Sequence, residues 1–539
     1  MTFKIRIYRS GGLVKETFGE KGDMLLGRIC LSGVFLDAPC GGKGRCGKCL
    51  VRLCPDGEEI LACRTYINSD MDVYLPDEME MVINSQFTIH NSQLSDSSRN
   101  LRSANNADSL PSSDNSEFRI PNSELRPARP LGVAIDIGTT TVVAHLHDLG
   151  TGERIRTASG VNAQRAFGAD VISRIQYCAE NGHETLTRIV REQIASLIEQ
   201  TCIMSGEKSA GIEFVSIAAN TIMQHLAAGY SPVGMGVVPF TPKSLFGYEL
   251  PAWEGLPAAE FAKVYFTPAI SSYVGGDITA GMLAAGIHKM AGPLIYLDIG
   301  TNGEIALKSG DTYYCCATAA GPAFEGAEIT MGMASVAGAI NHVKWDGGLK
   351  LSVIGDGTPL GLCGSGLIDT LALLLETGAV DESGRLLDSD EIEGEIAERV
   401  GKLDGKNVFW LTEGSDGVYL SAADIRKLQL AKSAIAAGIQ TLLEHAGLTE
   451  DQVESFVLAG GFGSFMDKSG AARIGLFPKS FLPVTQTVGN TASEGAALAL
   501  FSGEARETLA DMRRKCEYVE LSTSAVFNNQ FVENMTFDT

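Results

Sequence analysis

The chain has 539 residues, 45% hydrophobic and 20% charged, with a formal net charge of -22. That length exceeds what one hydrophobic core usually supports, so several domains are expected, and the ordinary apolar content says that most of the chain folds. The negative charge argues against nucleic acid or an anionic membrane as main partner. No run of about 18 apolar residues marks a span, and the opening MTFKIRIYRSGG lacks a signal peptide's apolar stretch, so a cytoplasmic protein is expected.

Residues 1–82 read as a compact α+β unit. Strands at Lys4–Tyr8 and Leu13–Phe18 flank the turn Ser10-Gly11-Gly12, a helix follows at Met24–Leu31, and strands are expected at Cys49–Leu53 and Met71–Leu75. Between them, CGGKGRCGKC spaces Cys40, Cys46 and Cys49 as Cys-x5-Cys-x2-Cys, and Cys63 follows within LACRT. Three thiolates on such a loop can wrap one face of a [2Fe-2S] cluster, because Gly41, Gly42, Gly44 and Gly47 tolerate positive φ and leave backbone N–H groups for the sulfurs. Cys63 would close the second iron, with Cys54 as the competing fourth ligand. A structural zinc site more often shows two separated CxxC pairs, and only one is present. The LACRT context resembles the last-ligand segment of ferredoxins, with the adrenodoxin-like first gap, which implies a ferredoxin-like β-grasp fold for this unit.

From 83 to 129 the chain turns to Ser, Asn, Asp and Arg, the composition of a flexible linker. It contains a repeat, since NSQFTIHNSQL at Asn84–Leu94 returns as NSEFRIPNSEL at Asn115–Leu125. Past Pro130, apolar strands alternate with long helical stretches. Strands are expected at Leu131–Ile137, Thr141–Leu146, Leu294–Ile299, Glu304–Leu307, Thr312–Ala317 and Ser455–Leu458. Helices are expected at Ala169–Ala179, Glu184–Met204, Gly366–Thr377 and Ala422–Ala446. This is the pattern of an α/β protein with two related halves. A middle region over 130–210 and an ATP-binding domain over 211–539 are the expected division.

Two acidic turns stand out. In VAIDIGTTTVVAHL, Asp136 ends a strand before Gly138, Thr139, Thr140 and Thr141; in YLDIGTNGEIAL, Asp298 precedes Gly300, Thr301, Asn302 and Gly303. Tight hairpins with free N–H groups and hydroxyls cradle phosphate oxygens, and a carboxylate at the mouth can hold Mg2+ through water or orient an attacking water. A third element, FVLAGGFGSF, ends a strand in Gly460, Gly461 and Phe462, where backbone can approach a flat ligand. Together these resemble the phosphate-1, phosphate-2 and adenosine motifs of the acetate and sugar kinase, Hsp70 and actin superfamily. The resemblance implies an actin-like ATPase with Asp136 and Asp298 as the catalytic acids, ATP and Mg2+ as ligands, and Gly460, Gly461 and Phe462 bordering the adenosine. Asp277 in YVGGDITAG and Glu325 in AGPAFEGA also sit in Gly-rich segments, and two readings stand side by side for them, ligand-facing turns or carboxylates that cap nearby helices.

A cluster unit, a linker and an actin-like ATPase in one chain resemble the reductive activators of corrinoid proteins. NAQRAFGADVISRI at Asn162–Ile175, GLCGSGLID at Gly361–Asp369 and YVELSTSAVFNNQFVENM at Tyr518–Met535 add to the likeness. The resemblance implies an enzyme that uses ATP to return an inactive Co(II) corrinoid protein to Co(I), with a low-potential electron donor as second partner and a homodimer left open. The alternatives are an ATP-dependent activator of another metalloenzyme and a nucleotide-sensing electron carrier without catalysis.

Overall fold

The computed structural model describes residues 2–76, apart from 11, 33, 35, 37–43, 45–48 and 55–56, and residues 129–537, apart from 327, 415–416 and 462–465. The repeat and nearly all of the expected linker lie outside the described residues, as do Cys40, Cys46 and Phe462.

In the N-terminal unit β1 (Thr2–Arg9) pairs antiparallel with β2 (Gly12–Glu20), α1 (Leu25–Leu31) follows, β3 (Leu50–Val51) pairs with β4 (Ile60–Leu61), and β5 (Met71–Tyr74) runs parallel to β1. Alternation along β1 turns Ile5 and Ile7 to one face, where Leu25, Leu26 and Ile29 of α1 meet them with Val73 of β5. Ala166, from the region that follows, completes this small core, so the unit rests against its neighbour.

The first lobe contains β6 (Leu131–Ile137), β7 (Thr141–Asp148), β8 (Arg154–Val161), α2 (Val171–Asn181), α3 (Glu184–Ser205), β9 (Ile212–Ala219), α4 (Thr221–Ala228), β10 (Tyr248–Pro251), β11 (Lys263–Phe266) and α5 (Gly276–Ala284). Its six strands lie in the order β10-β11-β9-β6-β7-β8. Because β9 pairs along the whole of β6, one sheet runs across the division expected at residue 211.

The second lobe repeats the plan. It contains β12 (Leu294–Ile299), β13 (Gly303–Ser309), β14 (Thr312–Thr318), α6 (Gly364–Glu376), α7 (Ala422–His445), β15 (Ser455–Ala459), β16 (Thr485–Gly489), α8 (Thr491–Phe501), β17 (Cys516–Tyr518) and α9 (Ala525–Glu533). Its sheet order is β16-β15-β12-β13-β14-β17. In both lobes a central strand has a parallel neighbour on one side and two successive antiparallel hairpin strands on the other. The two related halves expected from the sequence are therefore present as two sheets of matching topology.

Two helices join the lobes by crossing over. From the first half, α5 packs Ile278 and Met282 onto Leu294 and Tyr296 of the second sheet, while α8, from the second half, packs Ala492, Ala496 and Ala497 against Ala134 and Ala218 of the first. Small residues let them approach closely: a Cβ on Gly495 would lie 2.0 Å from the Ala280 backbone oxygen. An ion pair between Arg154 of β8 and Glu494 of α8 adds a polar tie. At the C-terminus, buried Lys432 of α7 donates to the Thr536 carbonyl at 2.6 Å and faces the Phe537 ring, so its charge is compensated inside the fold.

A methyl group at 495 meets backbone rather than a flexible side chain, so Gly495→Ala forces α5 and α8 apart. A destabilisation of about 1–3 kcal/mol is expected, read as a lower melting temperature in a thermal-unfolding scan. An unchanged melting temperature would show that the helices separate at no cost.

Candidate functional site

The two Asp-Gly-Thr turns face one another at the cleft between the lobes. Each turn is closed by a tight backbone bond, Gly138 N–H to the Thr141 carbonyl at 2.8 Å and Gly300 N–H to the Asn302 carbonyl at 2.9 Å. Behind the first turn, Asn162 donates its amide to the Gly138 carbonyl at 2.8 Å, and its backbone N–H bonds the Thr140 carbonyl at the same distance. Fully buried Arg174 of α2 donates to the Thr139 carbonyl at 2.5 Å and to the Gly168 carbonyl at 3.0 Å. Burial, with Arg165 nearby, lowers its guanidinium to about 9. Asn162 and Arg174 both lie in the segment NAQRAFGADVISRI, whose pattern drew attention without revealing that it backs the turn.

Asp136 and Asp298 lie near the ends of the central strands of the two sheets and come together, both half-buried. Burial raises the Asp136 carboxyl to about 6, against a 2.9 Å bond donated by Asn490 that favours the charged form. Burial and then the charge of Asp136 raise Asp298 to about 7; Tyr296 O–H, 3.4 Å away, acts in the opposite direction. Asp277 joins them, raised to about 8 by burial and by Asp298 and Asp136. Buried Glu304 is also pushed well up, by burial and by Asp277 and Asp298. Among the described residues no three acidic, His or Cys side chains are arranged to hold a metal ion directly.

Asp277 lies in the first turn of α5, where its carboxylate accepts from the Ile278 N–H at 2.9 Å, in line with the helix-end alternative that the sequence left open. Gly275 and Gly276 are needed there for packing: a Cβ on Gly275 would lie 2.5 Å from the Asn220 Cα, and one on Gly276 would lie 2.3 Å from the Thr267 hydroxyl. Gly460, with φ of 91°, ends β15 beside Asp298, and a Cβ there would meet the Asp298 carboxylate at 2.8 Å and the Ile299 carbonyl at 2.7 Å. Gly461 follows it on a turn. Glu304 and Asn490 are the residues that sequence reasoning missed. Glu304 closes the motif DIGTNGE on the sheet face that turns toward Asp298, and Asn490 precedes a helix with no nearby repeat to mark it.

In the N-terminal unit, Cys49 and Cys63 are buried together, with the Ala62 N–H donating to the Cys49 carbonyl at 2.8 Å. Arg64 ties the strand end to the cysteine loop through a 3.2 Å bond to the Gly44 carbonyl. Cys54, the competing candidate, is exposed. Burial pushes the neighbouring Cys30 thiol up to about 12.

Comparisons with known proteins cover almost the whole chain. Residues 131–290 match the family described as the RACo middle region, and residues 293–539 match the C-terminal domain of RACo, the ASKHA domain. The chain is 32% identical to the corrinoid activation enzyme RamQ of Eubacterium limosum, over 97% of this chain and 98% of that protein. It is 23% identical to the [Co(II) methylated amine-specific corrinoid protein] reductase of Methanosarcina barkeri, covering 75% and 77% of the two chains. A solved structure described as a reductive activator for corrinoid, iron-sulfur protein superposes with a TM-score of 0.70 at 31% identity, covering 99% of this chain and 98% of that one. Among the described residues no helix is long and apolar enough to cross a membrane.

The raised carboxyls fix a sign for the pH dependence of stability. The folded protein keeps protons on Asp136, Asp298 and Asp277 to about pH 6, 7 and 8, whereas an unfolded aspartate releases its proton near about 4. The native state therefore binds more protons across this window, and stability falls as pH rises through it. Asp277→Asn, which cannot ionise, is expected to flatten that fall in melting curves recorded across about pH 5 to 9. Parallel curves for the variant and its parent would mean that Asp277 does not titrate there.

Proposed function

The chain belongs to the RACo family of corrinoid-protein activators, and from that premise we propose that it is an ATP-dependent reductive activator, returning the Co(II) form of a corrinoid protein to Co(I). The observation that carries this reading is the pairing, within one chain, of a cysteine-bearing N-terminal unit with the two lobes formed by the middle region and the ASKHA domain. The Asp-Gly-Thr turn of the middle region and that of the ASKHA domain bring their carboxylates to one cleft.

The site assignments follow from the chemistry of each group. The Thr139, Thr140, Thr141 and Thr301 hydroxyls, with the backbone N–H groups of the Gly138 and Gly300 turns, bind the phosphates, and Gly460 and Gly461 leave room for the adenosine. Asp136 and Asp298 hold Mg2+ through its waters and orient the attacking water. The donor set suits a hard cation, because carboxylates held partly protonated by burial and by neighbouring negative charge would ionise fully with a divalent charge among them. Mg2+, when bound, neutralises the charge that develops on the transferred phosphoryl group.

Cys40, Cys46, Cys49 and Cys63 are the ligand set for a [2Fe-2S] cluster in a β-grasp domain, and exposure of Cys54 against burial of Cys63 beside Cys49 supports the choice of fourth ligand. A cluster there supplies one electron at a time. Plant-type clusters lie near about -400 mV, and each 59 mV of deficit in a one-electron step costs about 1.4 kcal/mol. A gap on the order of 100–200 mV is thus a few kcal/mol, within reach of the difference in partner affinity between nucleotide states. The low-potential donor and the corrinoid protein would meet this unit in turn if residues 83–129 act as a tether.

Full-length, cluster-loaded protein mixed anaerobically with a Co(II) corrinoid protein and a low-potential reductant is expected to yield the Co(I) absorbance only when MgATP is present. Asp298→Ala should cut ATP turnover by about a hundredfold or more, and Cys46→Ala should abolish Co(I) formation while leaving turnover in place. Electron transfer that proceeds equally without nucleotide would instead favour an electron carrier that only senses nucleotide.

A further inference from the structure

Glu325 joins the two Asp-Gly-Thr turns directly. One carboxylate oxygen accepts from the Thr140 hydroxyl at 2.7 Å, and the other accepts from the Thr301 hydroxyl at 3.0 Å. The side chain also lies over the second turn, since a Cβ on Gly300 would lie 3.6 Å from the same oxygen that Thr301 bonds. A short 3-10 turn, Pro322–Glu325, presents the residue, and its neighbours Ala323 and Phe324 are buried in the core of the second lobe. The turn is thus anchored, while the carboxylate reaches out to span the lobes.

A threonine hydroxyl has a single proton to donate. The protons of Thr140 and Thr301 are both committed to Glu325, yet they are the donors that phosphate oxygens require at these turns. A carboxylate and a phosphoryl group cannot share them, and their like charges repel. We propose that Glu325 is a positioning residue that holds the place of a phosphoryl group: its carboxylate clasps both turns in the nucleotide-free protein and leaves the two hydroxyls when a nucleoside triphosphate enters. The inference rests on the ATP reading above and adds a device to it. The lobes are kept in register without ligand, and the nucleotide must open the clasp before it binds.

The clasp has a measurable signature, because a closed state that excludes ligand lowers apparent affinity by the fraction of molecules left open. If the clasp is closed in about nine molecules of ten, releasing it tightens binding about tenfold. Calorimetric titration of the full chain with the magnesium complex of a β,γ-imido ATP analogue is therefore expected to show Glu325→Gln binding about tenfold tighter than the parent. A merely structural glutamate would lose affinity together with stability, so a gain separates the two roles. Should Glu325→Gln fail to fold, Glu325→Asp keeps the charge and shortens its reach to one hydroxyl, and a gain of about threefold is expected. Binding by the parent with equal or weaker affinity in the folded variant would overturn the clasp and leave the ATP reading intact. Absence of binding by the parent and variants alike would overturn both.

Discussion

The contact on which the molecule depends is the close crossing of α5 and α8 between the two sheets. Each helix belongs by sequence to one half and packs on the sheet of the other, so two smaller apolar clusters bridge the separate main cores of the lobes. The crossing is possible only because Gly495 presents no side chain to the Ala280 backbone and Gly281 presents none to the Tyr296 hydroxyl. The same arrangement sets the chemistry, since Asp277 opens α5 and Asn490 caps the approach to α8 at the end where Asp136 and Asp298 finish their strands.

The cleft floor is electrostatically unfavourable without ligand. Burial raises the proton affinity of Asp136, Asp277, Asp298 and Glu304, and for the last three the charges of neighbouring carboxylates add to the effect. Such a group costs stability, which is the usual trade between stability and function at a site. The contact of Glu325 with Thr140 and Thr301 ties the two turns together across the lobes.

The small N-terminal unit touches the rest of the described chain at Ala166, four residues beyond Asn162, which braces the first phosphate turn. The contact with the small unit and the brace of that turn thus lie on one short segment of chain.

How much of this was legible beforehand differs by element. The strands and long helices followed from apolar periodicity, and Leu131–Ile137, Leu294–Ile299 and Ala422–His445 lie where the pattern put them, because local alternation and a capping Ser421 act over a few residues. The two Asp-Gly-Thr turns were legible for the same reason: a tight turn's residue requirements are local. The sequence left Asp277 open between a ligand-facing turn and a helix end, because its glycines serve packing against Asn220 and Thr267, residues distant in sequence. Glu304, Asn490 and the clasp by Glu325 were decided by the tertiary structure, since a carboxylate becomes part of a site only when another strand or turn, more than a hundred residues away in the case of Thr140, is folded against it.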